Sequence, residues 1–446
     1  MTTPTIEKTL TQLRKRWNKL VVREEKKIRL SSWEEPTLIR NLGVVSKLNV
    51  MNTKTYANSS AEVVVIPWAE IEKPKKAIDA FEKKLEALTA KGLARLLKKP
   101  LPELCEAHGI SLVTFVEGMF DTDEATNTRR REALDWAEKR FPAAAERMKE
   151  VYGLRLPRYV ATFAGFWRSL DGYEKKGLEH LGRSPGGIMV WFEETGLTRK
   201  TRDNLDPRLD CRFRADPPEL VTLMWGDCDG LHYGLWYDDP ADFPTHIAHN
   251  YARDSSETWR DKAHTPLGVL LDQAEERIRN EDGDEAPALS VHAIHAALKW
   301  FVQADARALA QDSPAKRWLT ATRIPSIGTF GPGLPPKSGT IKEKDTHKRL
   351  EVWRKNAKLA REWIETASTD CAKGKPAAAL TYGLDLLWAD VDEHRKAGEV
   401  LLTMAYEKLG RRAFGEITKV HFAHRDLSSV GVYLNEGEEA EAAATA

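Results

Sequence analysis

The clearest pattern of strand-forming positions lies between residues 219 and 238. The run "ELVTLMWG" (219–226) and the run "LHYGLWYD" (231–238) flank the four letters "DCDG". Two short runs of this kind around an Asp- and Gly-rich turn predict an antiparallel hairpin. Because side chains alternate across a strand, one face of the second strand carries Leu231, Tyr233, Leu235 and Tyr237.

The same patterns predict further strands around this hairpin and helices on both sides of it. The predicted strands are 186–192, 210–215, 219–226, 231–238 and 245–250. Apolar residues three or four positions apart predict helices. These are 128–150, 265–280, 290–311, 346–367, 377–389, 392–410 and 411–424. The expected fold class is α+β: an antiparallel central sheet flanked by helices, a helical C-terminal part and a separate, mostly helical N-terminal region.

Composition divides the chain into five regions. We expect a mostly helical, basic region of unknown role (1–140), an α+β sheet domain with the hairpin (145–311), a Pro- and Gly-rich loop (312–345), a C-terminal helical part (346–430) and an acidic tail (431–446). An irregular loop of that length is usually functional or disordered.

The N-terminal region leaves one functional alternative open. Residues 1–30 hold nine Lys or Arg against three Asp or Glu and show helical periodicity. A solvated basic helix explains this, and so does a weak contact with nucleic acid. Residues 101–119 have the spacing of a helix-turn-helix, but the second helix lacks the Arg, Lys, Asn or Gln that reads bases.

Composition and motifs point to no self-contained active site. The formal net charge is +1, and four cysteines lie far apart, so neither a disulfide framework nor a zinc ribbon is expected. No phosphate-binding loop occurs, and the GxSxG match at 182–186 has Pro185 where a hydrolase needs a backbone N–H. Three HxxH pairs lack a third ligand nearby, so no metal site is expected. The absence of a secretory or membrane-spanning pattern predicts a cytoplasmic protein, or a nuclear one in a eukaryote.

Three separated blocks nevertheless resemble one family in the same order. "CRFRADPPELVTLMWGDCDGLHYGLWYDDPADFP" (211–244) resembles the signature of the histone PARylation factor family. "LTYGLDLLWADVDEHRKAGEVLLTMAYEKLGRRAFGEITKVHFAHR" (380–425) resembles that family's C-terminal helices. "VYGLRLPRYVATFAGFW" (151–167) is similar to its first helix, and also to the SMI1/KNR4-like immunity fold. The resemblance covers roughly 145–430.

The resemblance implies an accessory protein of a poly-ADP-ribose polymerase. Family members complete the transferase's active site with a Glu that acts as general base on the acceptor hydroxyl and directs modification to serine. No cofactor would bind to this chain itself, and NAD would bind to the partner transferase. This division of labour suits a chain without its own catalytic set.

The residue that the resemblance aligns with the donated Glu is Asp370. In "STDCAKGKP" Cys371 falls on the family's Cys, and Thr369 replaces an Asp. A second explanation of Asp370, as a cap or turn residue before the next helix, stays open. The family's Tyr-Arg pair, which grips the polymerase, has no counterpart in residues 330–345. Asp392 and Arg395 fall where the family has polar residues facing its partner, and with Thr369 they are candidate partner contacts.

Five residues are expected to serve the scaffold. Pro217 and Pro218 cannot donate to a sheet and should fix where the strand begins. Asp216 and Glu219 should secure that position, and Asp385 should orient a neighbouring helix. Two other functions remain alternatives to the accessory factor: an SMI1/KNR4-like protein that blocks a toxin, and a nucleic-acid-binding regulator acting through the basic N-terminal region.

Overall fold

A computed structural model describes residues 124–279 and 289–434. The predictions for the N-terminal region, including the basic helix at 1–30 and the helix-turn-helix at 101–119, lie outside these ranges. Within them, no helix combines the length and the apolar character that crossing a membrane requires.

Eleven α-helices are found in the described part of the chain. Three precede the central sheet: α1 (Glu124–Tyr152), α2 (Tyr159–Ser169) and α3 (Gly172–His180). Eight follow it: α4 (Pro266–Arg279), α5 (Leu289–Gln311), α6 (Lys316–Leu319), α7 (Thr346–Lys355), α8 (Ala357–Ala372), α9 (Ala377–Ala389), α10 (Arg395–Lys408) and α11 (Arg412–Ala423). The last four pack on one another and form the helical C-terminal part.

The central sheet has five antiparallel strands in chain order. They are β1 (Ser184–Pro185), β2 (Leu220–Trp225), β3 (Leu231–Trp236), β4 (His246–Tyr251) and β5 (Thr258–Arg260). A separate two-stranded sheet joins β6 (Thr322–Arg323) to β7 (Gly333–Leu334) inside the Pro- and Gly-rich loop. The prediction of an antiparallel sheet flanked by helices, with a helical C-terminal part, is confirmed.

Both faces of the hairpin β2–β3 are buried. On one face Tyr233 accepts a hydrogen bond from Gln273 of α4, at 2.9 Å between Nε2 and Oη. On the other face Trp236 contacts Phe330 of the loop, with ring centroids 4.3 Å apart. Helices therefore cover one side of the sheet, and the loop covers part of the other. Gly383 lets α9 and α10 approach closely, because a Cβ there would come within 2.7 Å of Leu402.

Two predicted strands are wrong. Residues 187–192 form a 3-10 helix, because Gly187 has φ = +50° and a Cβ there would lie 2.1 Å from the Thr222 carbonyl oxygen. Almost every residue of this run is buried, so its pattern does not separate a strand from a helical turn. Residues 210–215 form turns, because the amide of Phe213 donates to the Asp216 carboxylate at 2.7 Å instead of to a neighbouring strand.

The predicted helix 346–367 is two helices. The helix is interrupted at Asn356, whose backbone leaves the helical region of φ and ψ. Its side chain accepts a hydrogen bond from the Leu359 amide at 3.1 Å. Asn is a favoured N-cap because its short amide satisfies an N–H that has no partner within the helix. The second helix, α8, then continues to Ala372 and so includes Asp370.

Residues 431–434, which composition assigns to the acidic tail, run along residues 200–202. Val432 is fully buried, and its carbonyl accepts a hydrogen bond from the Arg202 amide at 2.8 Å. Tyr433 accepts a hydrogen bond from the indole of Trp191 at 3.1 Å. Apolar and aromatic side chains in this short segment explain why it packs on the domain.

Candidate functional site

Asp370 lies in the last turn of α8. Its side chain is half-buried, Thr369 beside it is exposed, and no described residue bonds to the Asp370 carboxylate. The Asp370 side chain does not act as the N-cap of the next helix, whereas its backbone carbonyl belongs to the turn that follows α8. The following helix α9 has Pro376 at its N-cap position and no side-chain cap, so Asp370 does not cap it. An acidic group near a helix C-terminus also faces the negative end of the helix dipole.

The segment "KGKP" after α8 redirects the chain into α9. Gly374 has φ = +85°, its amide donates to the Cys371 carbonyl at 2.9 Å, and the Lys375 amide donates to the Asp370 carbonyl at 2.9 Å. Hydrogen bonds of this kind satisfy carbonyl groups at the end of a helix. The backbone at Asp370 is therefore held by the turn, while its carboxylate remains available.

Cys371 anchors this turn in the core. Its side chain is 1% exposed and packs with Ala367 one turn earlier. Burial raises the pKa of the Cys371 thiol, so at neutral pH it is a neutral apolar group. The match of Cys371 to the family's Cys thus corresponds to a packing position, and the neighbouring Asp370 is only partly buried.

The Pro- and Gly-rich loop reaches the same end of α8. The Ala377 amide donates to the Ser338 carbonyl at 3.0 Å, and a Cβ on Gly339 would lie 3.0 Å from the Cβ of Lys375. Lys337, in this loop, and Lys375 are both exposed. The loop that lacks the Tyr-Arg pair therefore contributes Lys337 to the surface around the α8–α9 turn, which itself carries Lys375.

Asp385 holds the loop and the C-terminal helices together. Its carboxylate accepts hydrogen bonds from Arg349 Nε at 2.6 Å, from Trp353 Nε1 at 3.2 Å and from the Ile327 amide at 2.6 Å. Arg349 also donates to the carbonyl of Lys344 at 3.0 Å. Asp385 on α9 thereby links α7 to the middle and to the C-terminal end of the loop.

Asp392 and Arg395 lie at the other end of α9. Arg395 donates to Asp392 at 2.7 Å and also pairs with Asp426, and the Asp392 side chain is 89% exposed. Helix α9 has 13 residues and is therefore about 20 Å long. Asp370 precedes its start and Asp392 follows its end. The candidate partner contacts therefore fall on two separate patches, one at each end of α9.

The acids before β2 have partners in the interior. Asp216 accepts from the amide of Phe213 and lies 3.1 Å from His232 Nε2. Glu219 accepts from the Tyr406 hydroxyl of α10 at 2.8 Å, and burial raises the pKa of Glu219 to about 7. Between them, the carbonyl of Pro217 accepts from Arg212 at 2.9 Å, and Pro218 is buried. This segment therefore connects the sheet to the C-terminal helices.

Sequence reasoning missed the arginines that organise these contacts. Arg212 and Arg349 are buried, and each serves several backbone carbonyls. Neither arginine carries a local signal of burial. Arg212 occurs in the mixed run "DCRFRAD" (210–216), and Arg349 occurs in a charged helix whose other basic residues face solvent.

Comparison with known proteins finds similarity to the histone PARylation factors. The family model described as Histone PARylation factor 1 matches residues 145–313. Histone PARylation factor 1 of cattle (Bos taurus) is 24% identical over 305 residues, which cover 63% of this chain and 86% of the relative. That of zebrafish (Danio rerio) is 23% identical over 311 residues, which cover 64% and 86%. Over 63–64% of its length, the chain is therefore similar to the histone PARylation factors.

Proposed function

We propose that this protein is an accessory factor of an ADP-ribosyltransferase of the poly-ADP-ribose polymerase type. Its similarity to Histone PARylation factor 1 supports the class of partner. The site rests on one observation: the carboxylate of Asp370 has no partner among the described residues, and it sits at a helix end whose backbone is held by hydrogen bonds of the following turn. Asp370 would serve as the donated general base, and NAD would be bound by the transferase.

In this proposal, the complex of two proteins forms the active site. The acceptor hydroxyl, which we propose belongs to a serine, attacks the ribose carbon that bears nicotinamide in NAD. Nicotinamide leaves with the electrons of the broken bond, and the Asp370 carboxylate takes the hydroxyl proton. A positioned base typically contributes a factor of about 10²–10⁴. Fixing the carboxylate at the end of α8 supplies the positioning that such catalysis requires.

Lysines around the α8–α9 turn would take over the role of the absent Tyr-Arg pair. Lys337, Lys373 and Lys375 are exposed, and a Cβ on Gly339, in the same loop as Lys337, would contact Lys375. Several cations on one rim favour an acidic surface on the partner and speed association at low salt. The rim also adjoins the carboxylate, so docking there would bring Asp370 to the transferase.

Transferase assays with labelled NAD test the catalytic part of this proposal. The full chain is mixed with a transferase from the same organism and with acceptor peptides that differ only in Ser or Glu. We expect the wild-type protein to increase labelling of the Ser peptide and Asp370→Asn to lose that increase. Glu365→Gln removes an exposed carboxylate from the same helix and serves as the matched control. Equal activity of both variants would refute the role of Asp370.

The contact is tested separately by measuring binding of the two proteins. Lys375→Glu should weaken binding, and more strongly at low salt. Lys358→Glu, an exposed lysine near the start of α8, is the control for charge. If Lys375→Glu binds as tightly as wild type, the lysine rim is not the contact. If no transferase binds the wild-type chain, the proposal of an accessory factor fails as a whole.

A further inference from the structure

A cavity of about 400 Å³ lies at the end of α9 that is remote from Asp370. Its walls come from the turn before β2, the end of α11, the segment that follows α11 and the turn after β4. A volume of this size is within the range of small-molecule sites, about 300–1,000 Å³. Because the cavity is separated from Asp370 by the length of α9, a ligand here would act independently of the proposed base.

Positive charge is in excess around this cavity. Its lining includes Arg212, Arg214, Arg253 and Arg425, with Asp426 as the acidic residue. Adding the adjoining ion pairs gives five arginines, with Arg395, against the three aspartates 390, 392 and 426. Burial, together with the guanidinium groups of Arg214 and Arg395, lowers the pKa of Arg425 to about 10, although Asp390 and Asp426 oppose this shift. An anion in the cavity would relieve this repulsion.

Two of these arginines have guanidinium N–H donors that form no hydrogen bond with a described residue. Arg253 is exposed, and its guanidinium bonds to no described residue. Arg214 pairs through Nε with Asp390 and through Nη1 with Asp426, which leaves Nη2. Guanidinium groups bind phosphate oxygens through parallel N–H donors and are preferred at phosphate sites. In contrast, Arg212 is occupied by the carbonyls of Pro217 and Leu220 and acts as a fixed charge.

A buried imidazole also faces the cavity. His421 lines it, is only 2% exposed, and has no well-aligned hydrogen bond on either ring nitrogen. Its contact with the Phe213 backbone is poorly aligned. Burial and the nearby Arg212 and Arg425 keep the pKa of His421 well below its ordinary value, so the ring is neutral and offers one donor and one acceptor. A buried polar group in this state normally has a partner.

An aromatic ring completes the lining. Phe213 is half-buried in the wall, and its position is fixed by Trp225 at 5.8 Å and His232 at 4.8 Å between ring centroids. A ring that is held in this way can stack on a flat nucleobase. Such stacking contributes affinity but discriminates little between different bases. Arginines and an aromatic face thus occur in one cavity.

We infer that this cavity binds a nucleoside diphosphate, with its phosphate groups on Arg214 and Arg253 and its base against Phe213. His421 would hydrogen-bond to the ligand from the cavity wall. The inference goes beyond the proposed function, because it needs no partner protein and does not use Asp370.

Titration calorimetry on the full chain at low salt tests the inference, with ADP, inorganic pyrophosphate and adenosine as probes. We expect ADP to bind most tightly, pyrophosphate less tightly and adenosine weakest. Arg253→Gln should weaken both ADP and pyrophosphate at least tenfold, and it replaces an exposed side chain that the fold does not use. Phe213→Leu should weaken ADP and leave pyrophosphate unchanged. Arg361→Gln, an exposed arginine on α8, is the control.

Three results would overturn the inference. No heat with ADP at about 1 mM, a concentration that detects even weak binding, would exclude the site. Equal affinity for ADP and pyrophosphate would reject the nucleoside part and leave a phosphate site only. Unchanged ADP binding in Arg253→Gln would show that ADP binds to another surface of the protein.

Discussion

Arg349 and Asp385 form an ion pair that is enclosed on all sides. Nε of Arg349 lies 2.6 Å from the Asp385 carboxylate, and neither side chain has accessible surface. The pair is fully hydrogen-bonded, since the other donors and acceptors reach Trp353, Ile327 and loop carbonyls. It is therefore the point at which the long loop, α7 and α9 are joined.

We expect Asp385→Ala to reduce the free energy of unfolding by about 3–5 kcal/mol, because it leaves the Arg349 charge buried without its partner. Denaturant unfolding measures the loss. The double variant Arg349→Met with Asp385→Leu should lose less than the two single variants together, since neither charge remains. A loss below about 1 kcal/mol for Asp385→Ala would show that the pair does not hold the loop.

Glu219 gives the stability a specific dependence on pH. Burial raises its pKa from 4.5 to about 7 in the folded protein, so between these values the unfolded chain releases a proton that the folded one keeps. Its contribution is fully present below pH 4.5 and is lost as pH rises through about 7. Over this interval the loss amounts to about 3 kcal/mol.

Glu219→Gln should remove this dependence and keep the acceptor for the Tyr406 hydroxyl. The free energy of unfolding of the variant minus that of wild type should therefore rise between pH 4.5 and pH 8. Unfolding curves across this range, with Glu365→Gln as a surface control, measure the difference. A difference that stays constant with pH would mean that the buried carboxyl group is ionised in the folded state.

We expect the Asp370 carboxylate to destabilise the folded protein slightly. A negative charge in the last turn of α8 faces the negative end of the helix dipole, and such contacts are worth about 0.3–1 kcal/mol. We expect Asp370→Asn to raise the free energy of unfolding by an amount in this range, and the gain should vanish at high salt. A clear loss of stability in Asp370→Asn would instead reveal a structural role for the carboxylate.

The sequence was sufficient for the elements whose signals are local. Alternation around "DCDG" predicts the hairpin, and helical periodicity predicts α4, α5 and the C-terminal helices. The sequence pattern gave a wrong prediction at 187–192. There a glycine at positive φ sets the backbone conformation, and burial on nearly all sides removes the alternation that would distinguish a strand from a helical turn. It also failed at Asn356, where one capping side chain divides a continuous helical pattern.

The candidate site was only partly predictable. The resemblance drew attention to Asp370, but its place inside a helix depends on the turn that follows, which the letters "KGKP" do not specify alone. Contacts between distant residues, such as Arg349 with Asp385 or Arg214 with Asp426, leave no periodic trace in the sequence. For the same reason the arginine-lined cavity could not be predicted from the sequence.

The most direct measurement of the central claim compares Asp370 variants in complex with the transferase. The rate of Ser labelling from NAD is measured at saturating concentrations of this protein, so that binding differences do not enter. We predict a loss of about 10²-fold or more for Asp370→Asn, since a positioned base contributes that much, and retained activity for Asp370→Glu. Wild-type rates in Asp370→Asn, with Ser still labelled, would contradict the claim.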